Sequence, residues 1–191
     1  MARTAAPPET GARARTRQAI LDAAVRALAD DPTASLGRVA DLADVGRTTL
    51  HRYFPEREDL LAAVGAHAVA GIAAAHARAR TDDGTALAAL LRVAQEYLEL
   101  GDLLTVLFTG VVDEDCWAED GGNSAVLSAL HARGLRDGTL DPRMSAEWAL
   151  GIVWSGLYLA WSTVRTGAED RHAVVGRLLL TLEKALAAPA P

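Results

Sequence analysis

The chain has 191 residues, of which 50% are hydrophobic, with a single cysteine and a formal charge of −6. This length suits one good core, or a small domain fused to a larger one, and the hydrophobic content excludes disorder except at the ends. The single cysteine, Cys116, excludes an internal disulfide framework and fits a reducing compartment.

The sequence predicts neither export nor membrane insertion. Residues 1–16 lack the apolar core of a signal peptide. The most apolar run, residues 148–164, is shorter than the roughly 20 residues that cross a bilayer. We therefore expect a cytoplasmic protein without a membrane segment.

The positive charge is concentrated at one end of the chain. Residues 1–57 hold nine arginines and seven acidic residues, whereas residues 58–191 hold ten basic and eighteen acidic residues. A mildly basic head on an acidic body suits contact with nucleic acid at one end of the molecule.

Alanine and leucine dominate and alternating β-branched residues are scarce, so the sequence predicts an all-α fold of about nine helices. Residues 1–12 are predicted to be a flexible tail. The first helix is predicted over residues 13–29, and Ser35 is a good N-cap for a short second helix. Residues 44–46 predict a tight turn before a third short helix over residues 47–53.

Pro55 separates the third helix from a long fourth helix, predicted over residues 56–80. Proline is well placed at a first helical position, and acidic residues follow it where the helix dipole favours them. Later turn signals divide the remainder into about five further helices, including one over residues 143–165 and a last one over residues 169–187. We expect a tail over 1–12, a small domain over 13–57 and a larger domain over 58–191.

The third predicted helix has few residues suited to packing. Leu50 and Phe54, spaced i,i+4, point to a small core, and nearly all the other side chains are hydrogen-bond donors of moderate reach. Such a helix after a tight turn suits the major groove of DNA, where base edges are distinguishable. Periodicity alone is equally compatible with a solvated surface helix.

Residues 17–61 resemble the DNA-binding domain of the tetracycline-repressor (TetR) family of transcriptional regulators. The first helix of that domain corresponds to RQAILDAAVRAL, and the remainder to SLGRVADLADVGRTTLHRYFPEREDLL. Asp44 departs from the pattern, since glycine is common at that turn position. The positions in register are Val39-Ala40, Ala43, Val45, Thr49-Leu50, Tyr53-Phe54-Pro55 and Asp59-Leu60-Leu61.

The resemblance implies an N-terminal three-helix helix-turn-helix domain and a larger helical domain for ligand binding and dimerisation. It also implies which residues contact DNA: Arg47 is the first candidate for a guanine, and Arg57 for the phosphate backbone. The implied set is Ser35, Arg38, Arg47, Thr48, Thr49, His51, Arg52, Tyr53 and Arg57. Arg13, Arg15 and Arg17 are further candidates for neutralising phosphates, with a solvated tail as the alternative for the first two.

Aromatic residues outside the helix-turn-helix are the candidates for a ligand pocket. They predict a small, largely apolar or aromatic effector, with Ser155, Ser162 or His131 as polar contacts. Ordinary core packing is the alternative for each of them. The candidates are Tyr97, Phe108, Trp117, Trp154, Tyr158 and Trp161.

The predicted helix over residues 143–165 has two apolar faces, and both need to be buried. Trp154, Tyr158 and Trp161 fall at i, i+4 and i+7 on one face, whereas Trp148 and Leu159 lie on the other. One face is expected to line the pocket and the other to meet a second subunit, and spacing does not decide between them.

The sequence thus predicts a ligand-responsive transcriptional regulator, specifically a repressor. It would bind a near-palindromic operator in double-stranded DNA as a homodimer, and an unknown small-molecule effector would release it. The alternative is a helical-bundle enzyme, or a small-molecule or lipid-binding protein, without sequence-specific DNA binding. The sequence contains no dinucleotide-binding, P-loop, GxSxG or HExxH motif, and its histidines lack metal-ligand spacing. We therefore expect no enzyme activity, no cofactor and no metal.

Overall fold

The structure is a computed structural model that describes residues 11–111 and 122–189. These ranges contain nine α-helices and no β-strand, which confirms the predicted all-α fold. The helices are α1 Gly11–Asp30, α2 Leu36–Leu42, α3 Arg47–Tyr53, α4 Arg57–Ala79, α5 Ala86–Leu98, α6 Asp102–Phe108, α7 Gly122–Arg136, α8 Ala146–Arg165 and α9 Arg171–Leu186.

Most predicted boundaries agree with the observed ones to within three residues. The predicted tail over 1–12 falls mainly outside the described residues, and its last two residues, Gly11 and Ala12, already belong to α1. Trp117 and Cys116 also lie outside the described residues. The helix predicted from residue 143 begins at Ala146 instead, because the Ser145 side chain accepts a hydrogen bond from the Trp148 N–H and thereby caps α8.

The first of two hydrophobic cores lies under α1, α2 and α3. Ile20 and Leu28 of α1 meet Val39 of α2, and Leu50 of α3 and Phe54 close the core from the other side; all are buried. Leu60, Val64 and Ala68, in the first half of α4, also belong to this core, as do Leu103 and Val106 of α6. The core therefore continues past residue 57, where the sequence predicts the domain boundary.

A tight turn sets the angle between α2 and α3. Ser35 caps α2 by accepting a hydrogen bond from the N–H of Arg38 at 3.2 Å. Asp44 has a φ of 52°, which is the left-handed conformation that favours glycine and that aspartate tolerates better than most residues. This requirement explains the position of Asp44, where the family commonly has glycine.

The predicted start of α4 at residue 56 is one residue before the observed start, Arg57, and Pro55 does not occupy the first helical position. Glu56 is the N-cap, in an extended conformation, and a capping box joins it to Asp59: the Glu56 N–H donates to Asp59 Oδ2 at 3.1 Å. Pro55 therefore precedes the cap.

The second core lies between the second half of α4 and helices α5, α7, α8 and α9. Ile72 and Ala75 of α4 pack there with Tyr97, Leu157 and Leu182. By length and composition alone α4 could cross a membrane. Its buried side chains instead contribute to both cores, so α4 joins the two halves of the molecule.

We predict that Leu50 is the main anchor of α3. Its side chain is 1% exposed, and Leu50→Ala should lower the free energy of unfolding by about 2–5 kcal/mol through lost burial and a residual cavity. Leu42→Ala is the matched control, because Leu42 is 43% exposed and its truncation should cost less than about 0.5 kcal/mol. Urea denaturation at one protein concentration measures both values; equal losses would contradict the assignment.

Candidate nucleic-acid interface and effector site

Helix α3 presents its polar side chains outward because Leu50 faces the core. Arg47, Thr48, His51 and Arg52 are exposed, whereas Thr49 and Tyr53 are half-buried. The seven-residue helix begins at an N-cap, Gly46, that makes no side-chain cap hydrogen bond. The predicted contact residues of α3 thus lie together on one short helix.

Arg47 lies over α2, where glycine leaves room for it. A Cβ atom on Gly37 would stand 3.5 Å from Arg47 Nη2. Within residues 11–111 and 122–189, no carboxylate forms an ion pair with the Arg47 guanidinium. Its charge therefore remains available at a cleft of about 350 Å³ between α2 and α3.

Three arginine side chains lie over the two aromatic rings at the C-terminal end of α3. The Arg13 and Arg52 guanidinium groups lie 5.6 and 5.7 Å from the centre of the Tyr53 ring, and that of Arg17 lies 5.5 Å from the centre of the Phe54 ring. Such cation–π contacts hold the guanidinium groups beside α3. Arg13 and Arg17 therefore belong to the same positive surface as the predicted recognition residues.

His51 and Arg57 contact backbone carbonyls. His51 Nδ1 lies 3.2 Å from the Pro55 oxygen, and because a carbonyl only accepts, Nδ1 is the donor there. Arg57 donates from Nη2 to the Pro32 oxygen at 2.9 Å and from Nη1 to the Ala34 oxygen. In this structure Arg57 ties α4 to the loop between α1 and α2, and its phosphate contact stays a prediction.

The second group of predicted residues forms a continuous row of aromatic side chains, which we call the aromatic row: Tyr97, Trp154, Phe108, Tyr158 and Trp161. Trp154 stacks on Tyr97 with ring centres 5.5 Å apart and meets Phe108 edge-on at 5.6 Å. Phe108 meets Tyr158 edge-on at 5.8 Å, and Tyr158 lies 6.2 Å from Trp161. The sixth candidate, Trp117, lies outside the described residues.

His76 is a polar neighbour of the aromatic row that the sequence did not single out. Its Nε2 lies 2.6 Å from the hydroxyl oxygen of Tyr97, and its ring centre is 5.6 Å from that of Tyr97. Burial lowers the pKa of His76 and raises the pKa of Tyr97 far above its usual 10.0, so both groups are neutral near pH 7, and the tautomer of His76 sets which of the two donates. Regular spacing on α4 could not identify this pair, because His76 and Tyr97 are on different helices.

The three polar side chains predicted to contact the effector do not point to the aromatic row. Two are hydrogen-bonded to backbone carbonyls, and the third lies on the other face of α8. His131 is buried, with Nε2 at 3.2 Å from the carbonyl oxygen of Met144. The Ser162 hydroxyl donates to the carbonyl oxygen of Leu159 in its own helix. Ser155 lines an open groove beside α9.

The structure distinguishes the two apolar faces of α8. Trp154 and Trp161 pack against the second core, whereas Trp148 is 69% exposed and Leu159 is 67% exposed. The exposed face borders a groove of about 790 Å³ between α8 and α9. Trp154 and Trp161 therefore lie on the inner face, Tyr158 of the aromatic row is 55% exposed at its edge, and the face that carries Trp148 and Leu159 is the outer one.

We predict that His76 makes the protein less stable in mild acid. Because the folded state lowers the pKa of His76 below its ordinary 6.5, the unfolded chain takes up this proton first as pH falls. The stability due to neutral His76 is present above about pH 6.5 and is lost as pH falls through the lower pKa of the folded state.

The test compares free energies of unfolding at about pH 7.5 and about pH 5.5, on either side of the ordinary histidine pKa. His76→Gln should reduce the difference between the two values. His172→Gln, which removes an exposed histidine, should keep the wild-type difference. A wild-type difference in His76→Gln would contradict the prediction.

Comparison with known proteins identifies relatives over nearly the whole chain. The family model described as bacterial regulatory proteins, tetR family, matches residues 20–64. The HTH-type transcriptional repressor LfrR of Mycolicibacterium smegmatis (strain ATCC 700084 / mc(2)155) is 38% identical over 178 residues, which cover 91% of this chain and 92% of LfrR.

Solved structures agree in fold. The crystal structure of the TetR-like transcriptional regulator LfrR from Mycobacterium smegmatis has a TM-score of 0.71 at 36% identity and covers 91% of this chain and 97% of LfrR. The LfrR complex with proflavine has a TM-score of 0.72 at 39% identity, with coverages of 90% and 96%. The extent of these matches confirms the resemblance seen in residues 17–61, and the chain belongs to the TetR family of bacterial regulatory proteins.

Proposed function

We propose that this protein is a homodimeric repressor that binds a near-palindromic operator and is released by a small aromatic effector. The proposal rests on one observation: this TetR-family chain has both an exposed cationic helix, α3, and a separate aromatic row. The first can contact DNA, and the second can contact a flat apolar ligand.

Helix α3 is the element that would enter the major groove. Arg47 begins the helix, its charge is available, and a guanidinium can bind the O6 and N7 atoms of guanine with two hydrogen bonds. Thr48, Thr49 and His51 would contact base edges or phosphates beside it, and Arg13, Arg17 and Arg52 would attract the phosphate backbone. Base contacts set specificity, whereas phosphate contacts set the salt dependence of binding.

The outer face of α8 and α9 is the surface on which a second subunit would pack. Trp148 and Leu159 of α8 are exposed there, and Gly151 and Ser155 line the same groove, with open space beside Gly151, so another helix can approach closely. A twofold axis through this face would pair the same surface of both subunits. Two copies of α3 would then contact successive major grooves about 34–36 Å apart.

The aromatic row suggests the class of effector. LfrR has been crystallised with proflavine, a relative's ligand that motivates the choice of probe. In this chain Trp154 already stacks on Tyr97 and meets Phe108 edge-on, so a flat aromatic molecule can replace ring contacts with equivalent ones. The Tyr97–His76 pair supplies a hydrogen-bonding edge at one end of the row.

The alternative, a helical-bundle enzyme or lipid-binding protein, differs in one measurable respect. It predicts ligand binding or activity with no preference among DNA sequences. Selection of bound duplexes from a random pool by the purified protein separates the two: the repressor should enrich an inverted repeat. Absence of any enriched repeat, with folded protein and no effector, would contradict the proposed function.

We predict that Arg47 carries sequence preference. On the selected operator, Arg47→Ala should weaken binding by about 1–3 kcal/mol and relax preference at one base pair of each half-site, with little change on random DNA. Arg26→Ala is the control, because Arg26 lies on α1 and bonds its own helix at the Asp22 carbonyl. Fluorescence anisotropy at fixed salt measures both. Equal losses for the two variants on the operator would contradict the role of Arg47.

We also predict that Leu159→Glu prevents dimerisation, because it places a charge in the centre of the outer apolar face. Sedimentation velocity should show a monomer that binds the operator far more weakly than wild type. Leu135→Glu is the matched control, since Leu135 is 42% exposed on α7, away from this face, and should stay dimeric. A dimeric Leu159→Glu variant would place the interface elsewhere.

A further inference from the structure

One set of contacts connects the aromatic row to the DNA-binding helices. It begins at Trp161, the last ring of the row, on the same helix as Arg165. The Arg165 guanidinium lies 5.3 Å from the centre of the Trp161 ring. A ligand that repositions this ring therefore acts on the charge that lies over it.

Arg165 joins α8 to α1, which is distant in sequence. Its Nη1 donates to the carbonyl oxygen of Ala29 at 3.2 Å, and its Nη2 forms an ion pair with Oδ1 of Asp30. Nη1 also lies 3.8 Å from Asp102 of α6. The Arg165 side chain is 34% exposed, and those of Asp30 and Asp102 are 52% and 42% exposed, so a change at this side chain is open to solvent and costs little to make.

Asp30, the last residue of α1, is shared between two arginines. Its Oδ1 contacts Arg165 of the ligand-binding half, and its Oδ2 accepts from Nη2 of Arg38 at 3.5 Å. Arg38 lies on α2, one turn after the Ser35 cap, and is a predicted DNA contact. While Arg165 neutralises Asp30, the longer and weaker pair with Arg38 leaves that arginine available for phosphate.

We propose that Arg165 is the positioning residue that makes operator affinity respond to the effector, by controlling whether Asp30 holds Arg38. The proposal rests on the proposed function and specifies its regulation. When an effector moves Trp161, Arg165 leaves Asp30, and the carboxylate then retains Arg38 and competes with DNA phosphate for it. Release of DNA follows from the difference in Arg38 availability between the two states.

This mechanism predicts opposite signs for the two partners of one ion pair. Without effector, Arg165→Gln should weaken operator binding by about 2- to 30-fold, the range of such coupling effects. The reason is that the Asp30 carboxylate then pairs with Arg38 alone and keeps it from DNA phosphate. Asp30→Asn should keep or raise operator affinity, because the competing charge is gone. The double variant should bind like Asp30→Asn, and Arg165→Lys should recover part of the wild-type affinity. A merely structural ion pair would instead weaken binding in both single variants.

A second experiment measures operator binding in the presence of proflavine, which serves as the effector. Wild-type protein should lose operator affinity as proflavine is added, whereas Arg165→Gln and Asp30→Asn should bind proflavine yet lose most of this response. Arg171→Gln is the matched control: Arg171 pairs with Glu99 at 2.8 Å within the ligand-binding half, and its loss should leave affinity and response unchanged. Circular dichroism and sedimentation confirm that each variant is folded and has the wild-type oligomeric state.

The outcomes separate the proposal from the function on which it rests. Wild-type protein without operator preference overturns both. An operator-specific wild type in which Arg165→Gln keeps full affinity, or in which Asp30→Asn weakens binding as much as Arg165→Gln, overturns the role of Arg165 alone. The operator affinities of wild type and the two single variants without effector test the role of Arg165 even when proflavine does not release wild-type protein from the operator.

Discussion

The burial of Leu50 and Phe54 against α1, α2 and α4 is the interaction on which the rest of the site depends. A helix of seven residues is too short to be stable alone in water. Buried Leu50 and the C-cap residue Phe54 anchor α3, with half-buried Tyr53 packed beside them. Because so few side chains of α3 are buried, the helix can present Arg47, Thr48 and His51 to an external partner.

The two cores are joined by a shared helix and by contacts between residues that are distant in sequence. Helix α4 contributes Leu60, Val64 and Ala68 to the first core and Ile72 and Ala75 to the second. Arg57 ties the start of α4 to the α1–α2 loop, and Arg165 ties the end of α8 to the end of α1. A displacement around the second core thus has more than one route to α2 and α3.

Local features of this fold could be predicted from the sequence, whereas contacts between distant residues could not. The Ser35 cap, the bounds of α3 and the shared face of Trp154, Tyr158 and Trp161 follow from spacing and capping chemistry within single helices. The pairs His76–Tyr97, Arg57–Pro32 and Arg165–Asp30 are separated by 21, 25 and 135 residues, and helical periodicity contains no information about them. Pro55 lies before the helix because Glu56 caps α4 through its reciprocal bonds with Asp59.

The placement of α3 in the major groove is tested most directly by methylation protection of guanine N7 on the selected operator, because N7 lies in that groove. We expect two protected segments on one face of the duplex, centred about 34–36 Å apart, with one guanine in each losing protection in Arg47→Ala. Protection that is confined to a single segment, or that Arg47→Ala leaves intact, would contradict the placement of α3 in successive major grooves.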